Sequence, residues 1–194
     1  MDSDQIEDMF GPIDEQAMPM GLLQYDEAGN AVIPFVCLSH RFFALFDPVE
    51  TSEYRTWVHD TVRGDADYSV SPNAYLMKFV SIESYLGDCD NYAPPASLSM
   101  RQRVSIRQAM PDRLYVATRY FLEATPHADE LYFHPAAPEG EDSVKRYLKL
   151  NTWYSQISHG IAVEKLGMSP IHPEHKECYW YGYRKAHPER NSAG

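Results

Sequence analysis

Three short runs in the last third of the chain decide its fold: Glu-Leu-Tyr-Phe-His at 130–134, Val-Glu-Lys-Leu-Gly-Met at 163–168 and Cys-Tyr-Trp-Tyr-Gly-Tyr-Arg at 178–184. The first and third runs are rich in aromatic residues, which favour strands. Between them, apolar residues recur three or four positions apart, at Tyr147, Leu150, Tyr154, Ile157 and Ile161. That spacing predicts a helix from Ser143 to Leu166, and Gly167 suits a left-handed carboxyl cap. The predicted order is strand, long helix, strand.

The first half of the chain predicts more strands and another helix. Residues 22–25 and 31–36 flank a glycine-containing loop and predict a β-hairpin. Residues 50–63 carry apolar side chains at helical spacing, and residues 75–82 form an apolar run typical of a strand. Together with the last third, these elements predict a single α/β domain with a mixed, largely antiparallel sheet flanked by helices.

A helical region also begins at Met100, where Ser97 or Ser99 can cap its first turn. Pro111 leaves two alternatives, because proline either kinks one helix or occupies the first position of a second. Gly160 lies inside the long predicted helix, where glycine costs about 1 kcal/mol relative to alanine. A close approach of another backbone is the physical reason that we expect for this glycine.

The chain divides into three predicted regions. Residues 1–20 are acidic and interrupted by glycine and proline, so they predict an N-terminal arm, in which Met9-Phe10 and Met18-Pro19-Met20 are apolar enough to dock onto another surface. Residues 21–187 hold the predicted α/β domain, and residues 188–194 form a polar tail.

Composition excludes several functional classes. The chain has 194 residues and a formal net charge of -11, whereas a nucleic-acid binder needs a basic stripe. No apolar run approaches 18 residues, so we expect neither nucleic acid nor a membrane as a partner. The three cysteines, Cys37, Cys89 and Cys178, are too dispersed for a disulfide framework, which predicts a reducing, cytoplasmic compartment.

Two features near the C-terminus each allow two interpretations. His172, His175 and Cys178 have the donor types of a zinc site, and His187 could reach it, but a polar turn explains the same residues. We therefore assign no metal. The aromatic run from Tyr179 to Tyr183 alternates across two strand faces, so it serves either the core alone or the core and a partner.

The order of elements resembles the GNAT superfamily of N-acetyltransferases. The match covers residues 111–184, which read helix, strand, helix, Leu-Gly-Met, strand. Its most specific part is Val163-Glu164-Lys165-Leu166-Gly167-Met168, which is similar to the family's Tyr-Glu-Lys-Leu-Gly-Phe. The resemblance implies acetyl-CoA as the acyl donor, bound between the strand at Glu130 and the strand that follows the long helix.

The resemblance also implies roles for particular side chains. A histidine would deprotonate the amine, an amide would give polar support, and arginines would hold the phosphates in place of the family's glycine-rich loop. The candidate bases are His134 and His159, and the candidate amide is that of Gln156. The candidate phosphate ligands are Arg101, Arg103 and Arg107.

Two positions depart from the family pattern. In many members the tyrosine of the quoted ending protonates the departing coenzyme A thiolate, whereas Val163 occupies that position here. The family's phosphate loop contains glycines, whereas no glycine occurs from Asp88 to Glu139. Both departures indicate a degraded acetyl-CoA site.

From the sequence we favour a GNAT-like protein with a degraded site, acting as a protein-interaction or virion-associated accessory protein. Its size and residues 151–168 are similar to those of small internal virion proteins of short-tailed bacteriophages. This hypothesis implies a protein partner or self-assembly, no cofactor, and a place in the host cytoplasm or the virion. The alternative is an active N-acetyltransferase that moves an acetyl group from acetyl-CoA to an amine.

Overall fold

The computed structural model describes residues 3–11, 13–16, 19–26, 29–86, 98–133, 152–171 and 180–186. Its strands are β1 (Gln24–Tyr25), β2 (Ala31–Cys37), β3 (His40–Pro48), β4 (Ala74–Ser81), β5 (Glu130–Phe133), β6 (Ser169–Pro170) and β7 (Tyr181–Arg184). In this part of the chain they form one seven-stranded sheet, in the order β1-β2-β3-β4-β5-β7-β6. Neighbours are antiparallel except β4 and β5, which pair in parallel with Ala74 opposite Glu130. This confirms the predicted mixed, largely antiparallel sheet.

Helices cover both faces of the sheet. They are α1 (Ser3–Phe10), a short 3-10 turn (Val49–Thr51), α2 (Arg55–Ala66), α3 (Ile82–Leu86), α4 (Met100–Ala124) and α5, which is described from residue 152. α5 changes to a π-helix over Gly160–Lys165. Parallel strands need a crossover connection, and α4 supplies it between β4 and β5.

The structure resolves the alternatives at α4. Ser99 caps the helix, because its Oγ accepts the Gln102 N–H at 3.4 Å while Gln102 Oε1 accepts the Ser99 N–H at 3.0 Å. Pro111 lies inside one continuous helix and does not start a second one. α4 is therefore one continuous helix that packs beside the sheet.

The main core lies between the sheet and the pair α4 and α5. Strand side chains alternate between faces, so Ile33, Phe35 and Phe46 point to this core together with Met77 and Leu131. The best-defined contact stacks Phe46 on Phe121 of α4, with ring centres 4.0 Å apart and planes at 5°. These contacts fix the position of α4 on the sheet.

The opposite face carries α1 and α2. Ile6, Met9 and Phe10 of α1 are buried against Phe43, Val32 and Val80, and α2 covers a separate cluster around Leu76, Tyr132 and Trp180. The apolar residues of the expected arm thus dock onto the chain's own sheet. Met20 belongs to the main core, so the boundary placed at residue 20 does not separate two packing units.

The sequence predicted a structural role for Gly167 and for Gly160, and the structure confirms the first of these two predictions. Gly167 has φ +65°, which confirms the left-handed cap, and the following Met168 N–H donates to the Ala162 carbonyl at 2.8 Å. The close approach expected at Gly160 is wrong, because a Cβ there would meet only Glu164 Oε2, at 3.8 Å. The close approach is at Gly182, where a Cβ would lie 2.7 Å from Trp180 and from Tyr132.

Candidate functional site

A groove of about 620 Å³ separates α4 from α5. We call it the α4–α5 groove, and its lining is Val104, Arg107, Gln108, Pro111, Trp153, Gln156, Ile157, Gly160, Ile161, Glu164 and Lys165. The spacing of three and four residues on each helix explains the set, because such residues share one helix face. Small-molecule sites have volumes of roughly 300–1,000 Å³ and join apolar walls to a few polar groups. The groove has both properties.

One cation of the groove is held against an aromatic ring. The guanidinium of Arg107 lies over the Trp153 ring, 4.9 Å from its centre. Trp153 is itself fixed by edge-on contacts with Phe79 at 6.1 Å and Tyr154 at 5.4 Å. A cation over an indole face is stabilised by the ring's negative centre. Arg107 is therefore positioned by the core although it is exposed to solvent.

The second cation lies at the other end of the lining. Lys165 Nζ is 2.7 Å from Asp112 Oδ1 and 4.8 Å from the centre of the Tyr115 ring. Both partners belong to α4, so Lys165 connects the end of α5 to that helix. The groove thus has a cationic group from each wall, on a chain whose net charge is -11.

The wall that α5 contributes is π-helical. The Leu166 N–H donates to the Ile161 carbonyl at 3.1 Å, an i→i+5 bond that adds a residue to the turn. Gly160, Ile161, Glu164 and Lys165 come from this segment and all line the groove. π-helical turns are rare and occur frequently at functional sites. The π-helix is therefore an observation, independent of the groove's shape, that indicates a functional role.

The structure brings two of the predicted site residues together. Arg107 and Gln156 line opposite walls of the groove. Arg101 and Arg103 lie on α4 outside this lining, and Arg103 Nε donates to the Leu98 carbonyl at 3.0 Å, which ties it to the start of the helix. Of the three arginines predicted to hold phosphates, Arg107 is therefore the one that lines this groove.

Of the two predicted bases, the structure describes only His159. His159 is half-buried on α5 and does not belong to the lining. His134 falls outside the described residues. Val163, at the position of the family's tyrosine, packs against the main core. The two strands between which acetyl-CoA was expected, β5 and β7, pair with each other from Glu130 to Phe133.

Sequence reasoning missed Trp153, Glu164 and Lys165. A signal for them existed, because positions 153, 156, 157, 160, 161 and 164 follow one face of a helix. That face was interpreted as core because Ile157 and Ile161 are apolar. Its edge faces α4 instead, and this depends on how α4 and α5 lie side by side.

A second polar cluster surrounds the buried Glu130. The hydroxyls of Tyr68 and Tyr132 donate to its carboxylate at 2.5 and 2.9 Å, and the Ser71 N–H donates at 2.9 Å. Burial, with the carboxylate as a further cause, raises the pKa of Tyr132 well above its usual range. The carboxylate accepts three hydrogen bonds, so this cluster fixes β5 beside the loop after α2.

Other reactive groups give no additional site in the described part of the chain. Burial raises the pKa of the Cys37 thiol to about 11, so it is not a nucleophile near neutral pH. Within the described ranges no three His, Cys, Asp or Glu side chains could hold a metal ion. His172, His175, Cys178 and His187 lie outside those ranges. No described helix is long and apolar enough to cross a membrane.

Comparisons with models of protein families, with curated protein sequences and with solved structures find no match to this chain. The groove between α4 and α5 is therefore interpreted from its own geometry and chemistry.

Proposed function

We propose that the protein is a GNAT-like N-acetyltransferase that binds an acyl-coenzyme A thioester in the α4–α5 groove. The observation that carries the proposal is the meeting of Arg107 and Gln156 across this groove. The resemblance assigned these two residues to phosphate binding and polar support. They are nearly fifty positions apart in the sequence, and only the packing of α4 against α5 joins them.

The lining fits the chemistry of such a donor. Arg107 and Lys165 can hold phosphate groups, because charge-assisted hydrogen bonds from guanidinium and ammonium groups are the strong ones. Val104, Ile157 and Ile161 offer apolar surface to a flexible arm. The amides of Gln108 and Gln156 can pair with the amides of that arm. The donor supplies the activated acyl group, and these side chains bind and orient it.

The element order also supports the proposal. The helix, strand, helix, Leu-Gly-Met, strand order of the resemblance recurs as α4, β5, α5, residues 166–168 and the pair β6 and β7. The binding arm expected for an accessory protein has less support. Its residues Ile6, Met9 and Phe10 are buried in the fold and are not free to contact another protein.

Calorimetric titration with acetyl-CoA tests binding, and thiol release in the presence of primary amines tests transfer. We expect a dissociation constant within the range of roughly 1 μM–1 mM that enzymes show for their substrates. Thermal unfolding with and without the ligand gives an independent measure, since a ligand of the native state raises the transition temperature. No heat and no thermal shift at about millimolar ligand would reject the proposal.

A second candidate function is that of a virion-associated or other accessory protein. The specific observation is that Leu38, Leu86 and Met100 are large apolar side chains exposed to solvent. The pairing of Phe42 with Ser81 places the turn before β3 and the start of α3 at the same end of strands β3 and β4. Leu38 has φ +50°, an unusual conformation for a leucine.

Native mass spectrometry tests this second function. A complex with a partner or a second copy that Leu38→Ser and Met100→Ser abolish would support it. Leu22→Ser is the matched control, because Leu22 is 72% exposed, close to the 77% of Met100, but lies before β1, at the outer strand. A free monomer for the unmodified protein purified from its source would remove the support.

A further inference from the structure

We propose that Glu164 is the proton-accepting group of the α4–α5 groove and that it serves a primary amine as acyl acceptor. The inference rests on the proposed function. Neither Glu164 nor any other carboxylate was expected at this site from the sequence.

Glu164 reaches the groove because it follows Gly160 by four positions, on the helix face that lines the groove. Both residues belong to the π-helical segment Gly160–Lys165. Within this segment, Val163 packs against the main core, while Glu164 lines the groove. The position that the resemblance gives to a proton donor is therefore apolar and turned inwards. The next residue brings an ionisable group to the groove.

The carboxylate of Glu164 is free to act. It makes no hydrogen bond or ion pair with another residue in the part of the chain that the structure describes. Gly160, four positions earlier, leaves open space beside it, because even a Cβ at 160 would stay 3.8 Å from Oε2. A small amine can approach the carboxylate on that side.

The other polar groups of the lining cannot take up a proton. Arg107 and Lys165 are hydrogen-bond donors in their charged forms, and Gln108 and Gln156 are amides that do not titrate. Among the described lining residues, Glu164 is the one group that can accept a proton and return it. General acid–base catalysis needs such a group within hydrogen-bond reach of the reacting nitrogen.

The Glu164 carboxylate takes one proton from the bound ammonium ion and releases it to water, and the freed lone pair of the nitrogen forms the N–C bond to the thioester carbon. The carboxylate then takes a second proton from that nitrogen. The C–S bond breaks and its electron pair leaves with the sulfur. The carboxylic acid form of Glu164, or water, protonates the departing thiolate. The products are an amide, a free thiol and one proton released to water, and no oxidant, reductant or metal is required.

Glu164→Gln tests the inference, because the amide keeps the shape of the side chain and removes its capacity to accept a proton. The matched control is Glu123→Gln, on exposed Glu123 near the end of α4, whose Oε1 lies 3.6 Å from Arg119 Nε. Glu164→Asp tests for rescue. Each variant is measured by acetyl-CoA calorimetry, by calorimetry of n-butylamine binding to the complex with coenzyme A, and by steady-state kinetics.

We expect Glu164→Gln to keep acetyl-CoA affinity within about threefold, since the carboxylate is not a phosphate ligand. Its kcat should fall by roughly 10²–10⁴-fold, the usual contribution of a general base. n-Butylamine affinity should fall about tenfold, because an ammonium–carboxylate contact of ~1.4 kcal/mol is lost. Glu164→Asp should recover part of both losses, and Glu123→Gln should match the unmodified protein.

The possible failures are distinguishable. If the unmodified protein binds acetyl-CoA and releases thiol but Glu164→Gln does so equally well, the inference is overturned and the proposed function stands. The same holds if Glu164→Gln changes kcat but leaves amine affinity intact while Glu164→Asp gives no rescue. If the unmodified protein neither binds acetyl-CoA nor releases thiol, both proposals are overturned together.

Discussion

The guanidinium carbon of Arg107 lies 4.9 Å from the centre of the Trp153 ring, and this contact joins the two walls of the α4–α5 groove. Trp153 packs edge-on against Phe79 of β4, so the charge on α4 is tied to the central sheet. Arg101 is exposed six positions earlier on the same helix and lies outside the groove. The two arginines therefore form a matched pair for testing the site.

Arg107→Ala should weaken acetyl-CoA binding, whereas Arg101→Ala should leave it within about twofold. A hydrogen bond to a charged group contributes about 1.5–3 kcal/mol, which corresponds to a loss of roughly 10–150-fold in affinity. Calorimetric titration of both variants measures the difference. Equal affinities for the two variants would place the ligand elsewhere, since net charge changes identically in each.

Gly182→Ala should destabilise the protein, whereas Gly160→Ala should not. A Cβ at 182 would lie 2.7 Å from Trp180 and from Tyr132, both of which are buried and cannot move freely. Overpacking of this kind costs about 1–3 kcal/mol. At Gly160 the added methyl group meets only Glu164 at 3.8 Å, and alanine gains up to about 1 kcal/mol of helix propensity.

Urea unfolding of the two glycine variants gives both free energies on one scale. A stable Gly182→Ala variant would mean that Trp180 and Tyr132 are packed more loosely than the structure indicates. The comparison also tests why sequence reasoning chose the wrong glycine. Spacing along a helix marks a glycine as unusual, but only tertiary packing shows which glycine has a close neighbour.

The parts of the fold that depend on a few neighbouring residues could be predicted from the sequence. The hairpin around Gly29, the capped start of α4 and the left-handed cap at Gly167 follow from turn and cap chemistry that a few residues determine. β3 was missed, although it lies in the middle of the sheet. Its turn, Leu38-Ser39, has positive φ at both positions without the Asn-Gly type of sequence that marks such turns.

The site could be predicted only in part. Arg107 and Gln156 were identified through the resemblance, which assigns roles by position along the chain. Glu164 was not identified, because its helix face was interpreted as core, and only the packing of α4 against α5 shows that this face lines a groove. The same limit explains His159, which shares a helix with the groove residues but lies on another face.

Phe10→Ala should destabilise the domain by about 3–5 kcal/mol, the usual cost of removing a buried phenyl group. Phe10 is 4% exposed and packs against Phe43 with ring centres 5.4 Å apart. Asp8→Ala, on the exposed face of α1, should change stability by less than about 0.5 kcal/mol. If the two substitutions change the free energy of chemical unfolding equally, Phe10 does not stabilise the domain, and the prediction that residues 1–20 form an arm stands.

Stability should fall as the pH rises from 9 towards 11, with Cys37 as one cause. Burial raises the pKa of this thiol from 9.0 to about 11, so the folded state holds its proton more tightly than the unfolded state. Such a group stabilises the fold below pH 9, and this contribution is lost as the pH approaches 11. Cys37→Ala should make the decline shallower when unfolding is measured at several pH values. Identical slopes would contradict the burial of the thiol.

Lys78→Met should destabilise the protein, and adding Asp47→Leu should recover most of the loss. Lys78 Nζ lies 2.6 Å from Asp47 Oδ2 and 4.2 Å from the centre of the Tyr54 ring, between the α1 and α2 clusters. The side chains are only 14% and 12% exposed, so the single variant leaves a poorly solvated carboxylate without its partner, at a cost of up to about 3 kcal/mol. The double variant replaces the pair by apolar groups of similar volume, which is often neutral. Urea unfolding of both variants and of Asp47→Leu completes the double-mutant cycle. An additive cycle would show that the ion pair makes no net contribution to the packing of these two clusters.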